Sequence, residues 1–381
     1  MKRVKLMIVD PNAYGGHNDF CRGLALILSG KDAQIVYLNR QAESDGASEY
    51  KHIAAGYRDE TFRHKIQSYI TIYRQIKAYA KKGYEIHFQD ISPYMIPVVY
   101  GLLFLPGNEK NFYYTLHNII PHEQSLKNKI EYRLVYALLR LKIFKAVFYH
   151  FEFIRPNDAV AVAHIPAEVR EKMVFVSHHM FHRGVQSRRN TLRVDEKDQK
   201  IVILFFGVVR RNKGLLEFFT LLNACDVDTA GITFVVAGEF AEYQVSDLQQ
   251  IIDRSDYPID IRIESRFVDD REKEKMFERA HFILQPYLDD FLAQSGVVID
   301  AYEYKKPLIV SSNPSLRYLA EHESTGFIYS ADNLKSFLEK DIRNQSRYAS
   351  YVDHINRVLT DKYGDDQIRK VYMHQYQEVN V

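Results

Sequence analysis

Three cations crowd the stretch Gly207-Val208-Val209-Arg210-Arg211-Asn212-Lys213-Gly214, between an apolar run (201–206) and the start of an amphipathic segment at Leu215. Glycine, Arg/Lys side chains and a helix start together make an anion-binding constellation, because the helix start adds unpaired N–H groups and the positive end of its dipole. A solvated basic turn is the plainer alternative. A second helix start is expected at Gln294-Ser295-Gly296, where Val297, Val298, Ala301 and Tyr302 follow at helical spacing. Gly296 lets a phosphate approach the backbone, and Asp300, one turn deeper, is placed to accept hydrogen bonds from hydroxyls. The chemistry expected of both stretches is recognition of a nucleoside diphosphate with its ribose.

The elements that must position these residues alternate. Val4–Asp10 reads as a buried strand, and the glycine pair Gly15-Gly16 leads into a helix from about His17 to Leu28. The pair fits a phosphate turn or a plain tight turn equally. Ala33–Leu38, Glu85–Phe88 and Phe112–Leu116 read as further strands, with a long helix from about Thr61 to Lys81. His117 follows the last of these strands directly, a position open to a ligand contact or to a structural hydrogen bond. Val160–Ala163 and Val174–Val176 are expected to close the first half. Strands are again expected at 201–206, 232–237, 259–263, 282–284 and 308–310, with Asp269 or Asp270 capping the helix before Phe282. Two helices separated by Gly364 end the chain.

Gln285 through Val310 resembles the donor-site segment of GT-B-fold glycosyltransferases, in particular the retaining group called family four. That group's pattern is Glu, seven residues, Glu-Ala, then Gly-Lys-Pro and an apolar strand. Asp300-Ala301 and Lys306-Pro307 fall on its second half, and Ser295-Gly296 on the small residues that meet the diphosphate. Leu292 stands where the first glutamate is expected, and Val208 where the family's Gly-Arg-Leu-x-x-x-Lys-Gly carries arginine. Gly207, Lys213 and Gly214 match that second motif, and Arg210 offers the charge from two residues on. The resemblance further implies that Gly15-Gly16 meets the donor phosphate, that Gly238-Glu239 and Val268 lie at the base, and that His117 reaches the transferred sugar. His117 heads the stretch His117-Asn118-Ile119-Ile120-Pro121-His122, which resembles the family's His-Asn/Asp-x-x-Pro-His.

The expected architecture is therefore α/β, two doubly wound Rossmann-like domains facing a cleft. Residues 1–185 form the acceptor-side domain, 186–199 a polar linker and 200–362 the nucleotide-sugar domain, with a final helix (363–381) packing back on the first. The function implied is metal-independent, cofactor-free transfer of a sugar, with retention, from a nucleotide-diphosphate sugar to a saccharide or lipid-linked acceptor. A same-fold epimerase and a non-catalytic sugar-nucleotide binder are the alternatives.

Bulk properties bound this reading. In 381 residues, 51 Lys and Arg face 49 Asp and Glu, a formal net charge of +2, so nothing global points to nucleic acid. Two cysteines, Cys21 and Cys225, give no disulfide framework or zinc site. No apolar run reaches the roughly 20 residues of a spanning helix, and the expected location is cytoplasmic. A helix expected over 125–145 carries an apolar stripe (Leu126, Ile130, Leu134, Leu138, Leu141) and a second face with Lys129, Arg133, Tyr136 and Arg140. That second face fits either an anionic membrane surface on the inner side or plain solvation.

Overall fold

The computed structural model describes residues 3–12, 16–41, 46–57, 61–104, 111–119, 126–150, 165–179, 194–195, 199–291 and 295–378. The chain divides into two compact units, one of residues 1–181 and 362–381, the other of residues 182–361.

Unit 1 runs β1 (Val4–Val9), α1 (Gly16–Leu28), β2 (Ala33–Asn39), β3 (Lys51–Ala54), α2 (Phe62–Ala80), β4 (Glu85–Phe88), α3 (Met95–Leu103), β5 (Phe112–Leu116), α4 (Leu126–Leu139), β6 (Phe144–Tyr149), α5 (Ala167–Arg170) and β7 (Met173–Phe175). Its parallel sheet has the order β3-β2-β1-β4-β5-β6-β7. The order reverses between β1 and β4, and parallel α/β sheets bind ligands beyond the carboxyl ends of strands at such a point. Strands buried on both faces need largely apolar runs, which Leu6–Val9 and Phe112–Leu116 supply. Thr61 caps α2 by accepting from His64 N.

Unit 2 runs β8 (Ile201–Phe206), a 3₁₀ turn at Arg211–Lys213, α6 (Leu215–Ala224), β9 (Ile232–Ala237), α7 (Val245–Ile252), β10 (Asp260–Glu264), α8 (Asp270–Arg279), β11 (Phe282–Gln285), α9 (Gly296–Glu303), β12 (Leu308–Val310), α10 (Pro314–His322), β13 (Gly326–Ile328), α11 (Leu334–Ser336) with a π-helical turn (Phe337–Asp341), and α12 (Gln345–Asp361). Its parallel sheet, β10-β9-β8-β11-β12-β13, reverses between β8 and β11. Asp269 caps α8 in a reciprocal box with Glu272. Ser295 is the N-cap of α9.

The last helix, α13 (Asp365–Glu378), belongs to unit 1 and packs on α1. Ile368, Tyr372 and Tyr376 enter the core of β1 and α1, and Arg369 donates to the carbonyls of Ile27 and Leu28 at the end of α1. Those donations satisfy carbonyls a helix end leaves open. Tyr376 OH lies 2.7 Å from His87 Nδ1, and His87 Nε2 lies 2.8 Å from Thr115 Oγ1, all three buried.

Two expectations are corrected. The helix expected over 125–145 ends at Leu139, because Phe144–Tyr149, rich in aromatic residues with Val147, pairs with β5 instead. Lys172 Nζ closes that helix end with 2.9, 3.2 and 2.7 Å bonds to the carbonyls of Leu139, Arg140 and Leu141. The apolar stripe of α4 is split along the helix, and the residue expected on its basic face, Tyr136, turns inward. Leu126 (75 %), Ile130 (47 %) and Leu134 (41 %) are exposed, whereas Val135, Tyr136, Leu138 and Leu139 are buried. Tyr136, expected on the basic face, donates to Ile119 O at 2.8 Å from inside. Residues 160–163, expected as a strand, and most of 186–199 lie outside the described residues.

Candidate functional site

In unit 2 the site is built by close backbone approach. Gly207 and Gly238 follow β8 and β9 with φ of +109° and +141°. A Cβ on Gly238 would lie 2.1 Å from Gly207 O, so the two strand ends leave the sheet in direct contact. Val209 N then donates to Glu239 O at 2.8 Å. Gly214, at φ +62°, ends the basic turn, and a Cβ there would meet Pro286 O at 2.0 Å. Leu288 N donates to Asn212 O at 3.0 Å. The basic turn is thereby fastened to the segment after β11 that leads into α9.

That segment also holds the lysine. Lys213 Nζ sits 3.7 Å from the ring centre of Tyr287 and 4.2 Å from that of Phe291. Such a seat stabilises an ammonium through the ring quadrupoles. Burial, then the neighbouring charge of Arg210, lowers its pKa well below the ordinary lysine value. Arg210 itself is exposed. Asn313 braces the segment from α10, donating to Leu288 O at 2.6 Å and Phe291 O at 3.1 Å.

Ser295 spends its hydroxyl on Tyr287 OH, 3.0 Å away, and makes no side-chain cap to α9. The first N–H groups of that helix therefore receive no side-chain cap from Ser295, the condition under which a helix start binds anions. Asp300 is buried, and Lys273 of α8 donates to its Oδ1 at 3.1 Å. Beside Val268, which is half-buried, Arg266 bridges Glu264 and Glu272 at 2.7 Å each, and Phe267 is exposed. Glu239 is exposed as well. Gln294 and Leu292 lie outside the described residues.

In unit 1 the residues that follow the strands converge. Asp10, after β1, accepts from Asn12 N and Nδ2 at 3.0 Å each and lies 3.3 Å from His17 Nδ1. The His117 ring, after β5, lies 4.2 Å from the His17 ring, tilted by 60°. His117, His150, His178 and His179 all contact the Phe20 ring, at centroid distances of 5.0, 5.0, 4.9 and 4.3 Å. Burial holds His117 well below the ordinary histidine pKa, helped by the charge on His17 and the other imidazoles. His117 Nε2 is buried with no hydrogen-bond partner among the described residues. Burial alone would lower His17, but the hydrogen bond and charge of Asp10 and the charge of Asp90 outweigh it, so its pKa is raised. A histidine oriented by a buried carboxylate is the arrangement of a general base.

Asp10, His17 and Cys21 bring one ligand atom each within 4.8 Å of one another, the one such group among the described residues. We read it as a hydrogen-bonded pair beside a thiol, because Asn12 already occupies Asp10 Oδ1 twice and burial keeps Cys21 protonated. Gly16 opens α1, and Gly15 lies outside the described residues.

Unit 2 thus brings Gly207, Lys213, Gly238, Ser295 and Gly296 onto the connections that leave its strands' carboxyl ends, with Asp300 a turn into α9. Sequence reasoning missed Lys273, Tyr287 and Phe291 here, and Asp10, His17, His150, His178 and His179 in unit 1. His17, directly after Gly15-Gly16, and the pair His178-His179 were the available signals.

No family model and no curated protein sequence matches the chain. Solved structures do. Sucrose-phosphate synthase from Thermosynechococcus elongatus aligns over 99 % of both chains at 15 % identity, TM-score 0.69. Anabaena HepE, solved in complex with UDP-glucose, aligns over 99 % of this chain and 100 % of its own at 12 % identity, TM-score 0.66. WaaG, a glycosyltransferase involved in lipopolysaccharide biosynthesis, aligns over 98 % of this chain and 99 % of its own at 12 % identity, TM-score 0.63. At these identities the likeness establishes architecture, and by it the chain has the GT-B fold of these glycosyltransferases.

Proposed function

We propose that the protein is a glycosyltransferase that takes its sugar from a nucleotide-diphosphate donor bound by unit 2. The observation that carries this is the fastening of the Arg210–Gly214 turn to the segment that ends at the start of α9. Arg210, Lys213 and the N–H groups of Gly296 and its neighbours neutralise the diphosphate, with Asp300 on the ribose and Gly238, Glu239 and Val268 at the base. Gly15, Gly16 and Gln294 complete the donor contacts, and His117 reaches the sugar as a neutral imidazole. A diphosphate met by cations and amides in this way calls for no metal and no cofactor. The neighbour HepE is solved with UDP-glucose, which supports this donor class. Family-four resemblance favours retention and a saccharide or lipid-linked acceptor of cell-surface polysaccharide synthesis, made at the cytoplasmic face.

The second reading is a sugar-nucleotide binder without transfer, favoured by Val208 in the arginine's place and by Lys213 seated on two rings. Measuring hydrolysis and transfer from a panel of UDP-, GDP-, ADP- and TDP-sugars separates the two. Transfer, or slow hydrolysis, supports the enzyme. Tight binding with no turnover of any donor supports the binder.

Among the described residues no helix is long and apolar enough to cross a membrane. A peripheral contact fits α4 instead. Its outward row of Leu126, Ile130 and Leu134 continues into Leu141 and is flanked by the exposed cations Lys127, Lys129, Arg133 and Lys142. Each cation near an anionic lipid surface contributes about 1 kcal/mol. Sedimentation with anionic and neutral vesicles tests this. Loss of anionic-vesicle binding in Lys129/Arg133→Ser and in Ile130/Leu134→Ser supports it, and unchanged binding in both removes it.

A further inference from the structure

The amino ends of the unit 1 strands, opposite the carboxyl ends that carry Asp10 and His117, frame a second opening. A cavity of about 700 Å³ lies there, within the size range of small-molecule sites. Its floor departs from the rule for parallel sheets, whose strands are apolar on both faces. Lys5 of β1 pairs with Gln34 of β2, and Val36, two residues on, pairs with Lys51 of β3. Paired residues and residues two apart share a face, so Lys5, Gln34 and Lys51 stand together on one face, all three exposed. Tyr79 from the end of α2 and Tyr84 before β4 wall the cavity, their rings 4.9 Å apart edge to face.

Positive charge collects here. Lys51 and Lys82 lie 5.6 and 5.1 Å from the centre of the Tyr79 ring, and Lys5 lies 5.8 Å from that of Tyr84. Arg3 lines the same cavity and donates to Ala33 O. Among the described residues none of these four cations forms an ion pair. The one carboxylate of the lining, Glu49, is turned onto its neighbour and accepts from Ser48 N and Oγ. The end of α2 does not call for the charges, because Lys82 N and Tyr84 N already donate to Tyr79 O at 2.9 and 3.2 Å. A cleft lined by one sign of charge concentrates the opposite sign. Gln34 and the two phenols add groups that both donate and accept, which suits hydroxyls.

We propose that this cavity is a non-catalytic binding site for an anionic saccharide. Arg3, Lys5, Lys51 and Lys82 hold its phosphate or carboxylate groups, and Gln34, Tyr79 and Tyr84 hold its hydroxyls. The site stands whether or not unit 2 binds a nucleotide. A single-stranded nucleic acid would use the same charges but needs open ring faces for its bases, and here lysines already lie over both tyrosines.

The test is calorimetric titration with glucose 6-phosphate, tetragalacturonate, neutral maltotetraose and octathymidylate at about 0.15 M salt, where the Debye length is about 8 Å. The first two arms tell a small sugar phosphate from the acid groups of a glycan. At least one of them is expected to bind about 10-fold or more tighter than maltotetraose, at one site per chain. Lys5/Lys51→Gln is expected to weaken that binding about 10-fold or more, the scale of a lost charge-assisted bond. Lys275/Lys340→Gln, which removes the same charge from exposed positions of unit 2, is expected to leave it unchanged. Should Lys5/Lys51→Gln not fold, Lys82→Gln, in an exposed turn, is read in the same way. Absence of binding by both acidic saccharides overturns the proposal, as does equal weakening in the two double variants. Octathymidylate binding as tightly as the better acidic saccharide overturns it in favour of nucleic acid.

Discussion

The two sheets end in opposite chemistries. Unit 2 meets its reversal point with glycines, a basic turn and a lysine laid over two aromatic rings. Unit 1 meets its own with a buried aspartate, a paired histidine and an arc of imidazoles around one phenylalanine. One end is shaped for negative charge. The other keeps most of its imidazoles neutral by burial and offers hydrogen bonds and one histidine paired with a carboxylate. The difference also teaches where acid will strike, because burial that keeps an imidazole neutral is a stability term.

Acid should break the symmetry between the units first. Burial lowers His87 and His150 to about 3 and His178 to about 4 in unit 1, against His281, at about 4, among the described residues of unit 2. A histidine whose folded pKa is depressed contributes stability that is full above its unfolded value, about 6.5, and lost as pH falls toward the folded value. At about 1.4 kcal/mol per pH unit per group, going from pH 6.5 to 5 costs unit 1 about 6 kcal/mol and unit 2 about 2. His17, whose pKa is raised, opposes part of the loss in unit 1. Hydrogen exchange at pH 5 should therefore show unit 1 opening before unit 2. Equal protection in both would contradict the burial account.

Glycine substitutions sharpen the contrast from the other side. Gly238→Ala puts a Cβ 2.1 Å from the Gly207 carbonyl at φ +141° and should cost about 3–5 kcal/mol. Gly83 of unit 1 has φ +78° with nothing within 4 Å, so Gly83→Ala should cost only about 1–2 kcal/mol. Urea unfolding midpoints check the pair, and similar losses would mean that conformation, not close approach, governs Gly238.

A smaller effect is expected at the seam of α13. Tyr376→Phe removes the hydroxyl that meets His87 and should destabilise unit 1 by about 1–2 kcal/mol, leaving nucleotide binding by unit 2 unchanged. Reduced nucleotide affinity in that variant would show the two units to be coupled.

Much of the fold was legible because local signals sufficed. Phe62–Ala80 announced itself by Thr61 and its periodicity, and β1 and β5 by largely apolar runs. Unit 2's site was legible for the same reason, since Gly207 to Gly214 and Ser295 to Asp300 are each contiguous. What escaped was non-local. His17, His117, His150 and His178 meet only because parallel strands deliver their ends side by side, and Lys273 reaches Asp300 across 27 positions. Lys51–Ala54, too short and polar to stand out, and Met95–Leu103, interrupted by Pro97, gave no clear pattern. Helix α4 misled because periodicity identifies a stripe but not which side the core lies on. Val135, Tyr136, Leu138 and Leu139 enter the core at its C-terminal end, while Leu126, Ile130 and Leu134 stay exposed.

The central claim is that the basic turn of unit 2 binds a nucleoside diphosphate, and calorimetry on Lys213→Ala tests it most directly. The account predicts that wild type binds UDP or GDP, and that the variant binds it about 10- to 100-fold more weakly, equivalent to about 1.5–3 kcal/mol for a charge-assisted bond. Unchanged affinity in a folded Lys213→Ala would mean that the lysine serves only its two rings, and would contradict the assignment.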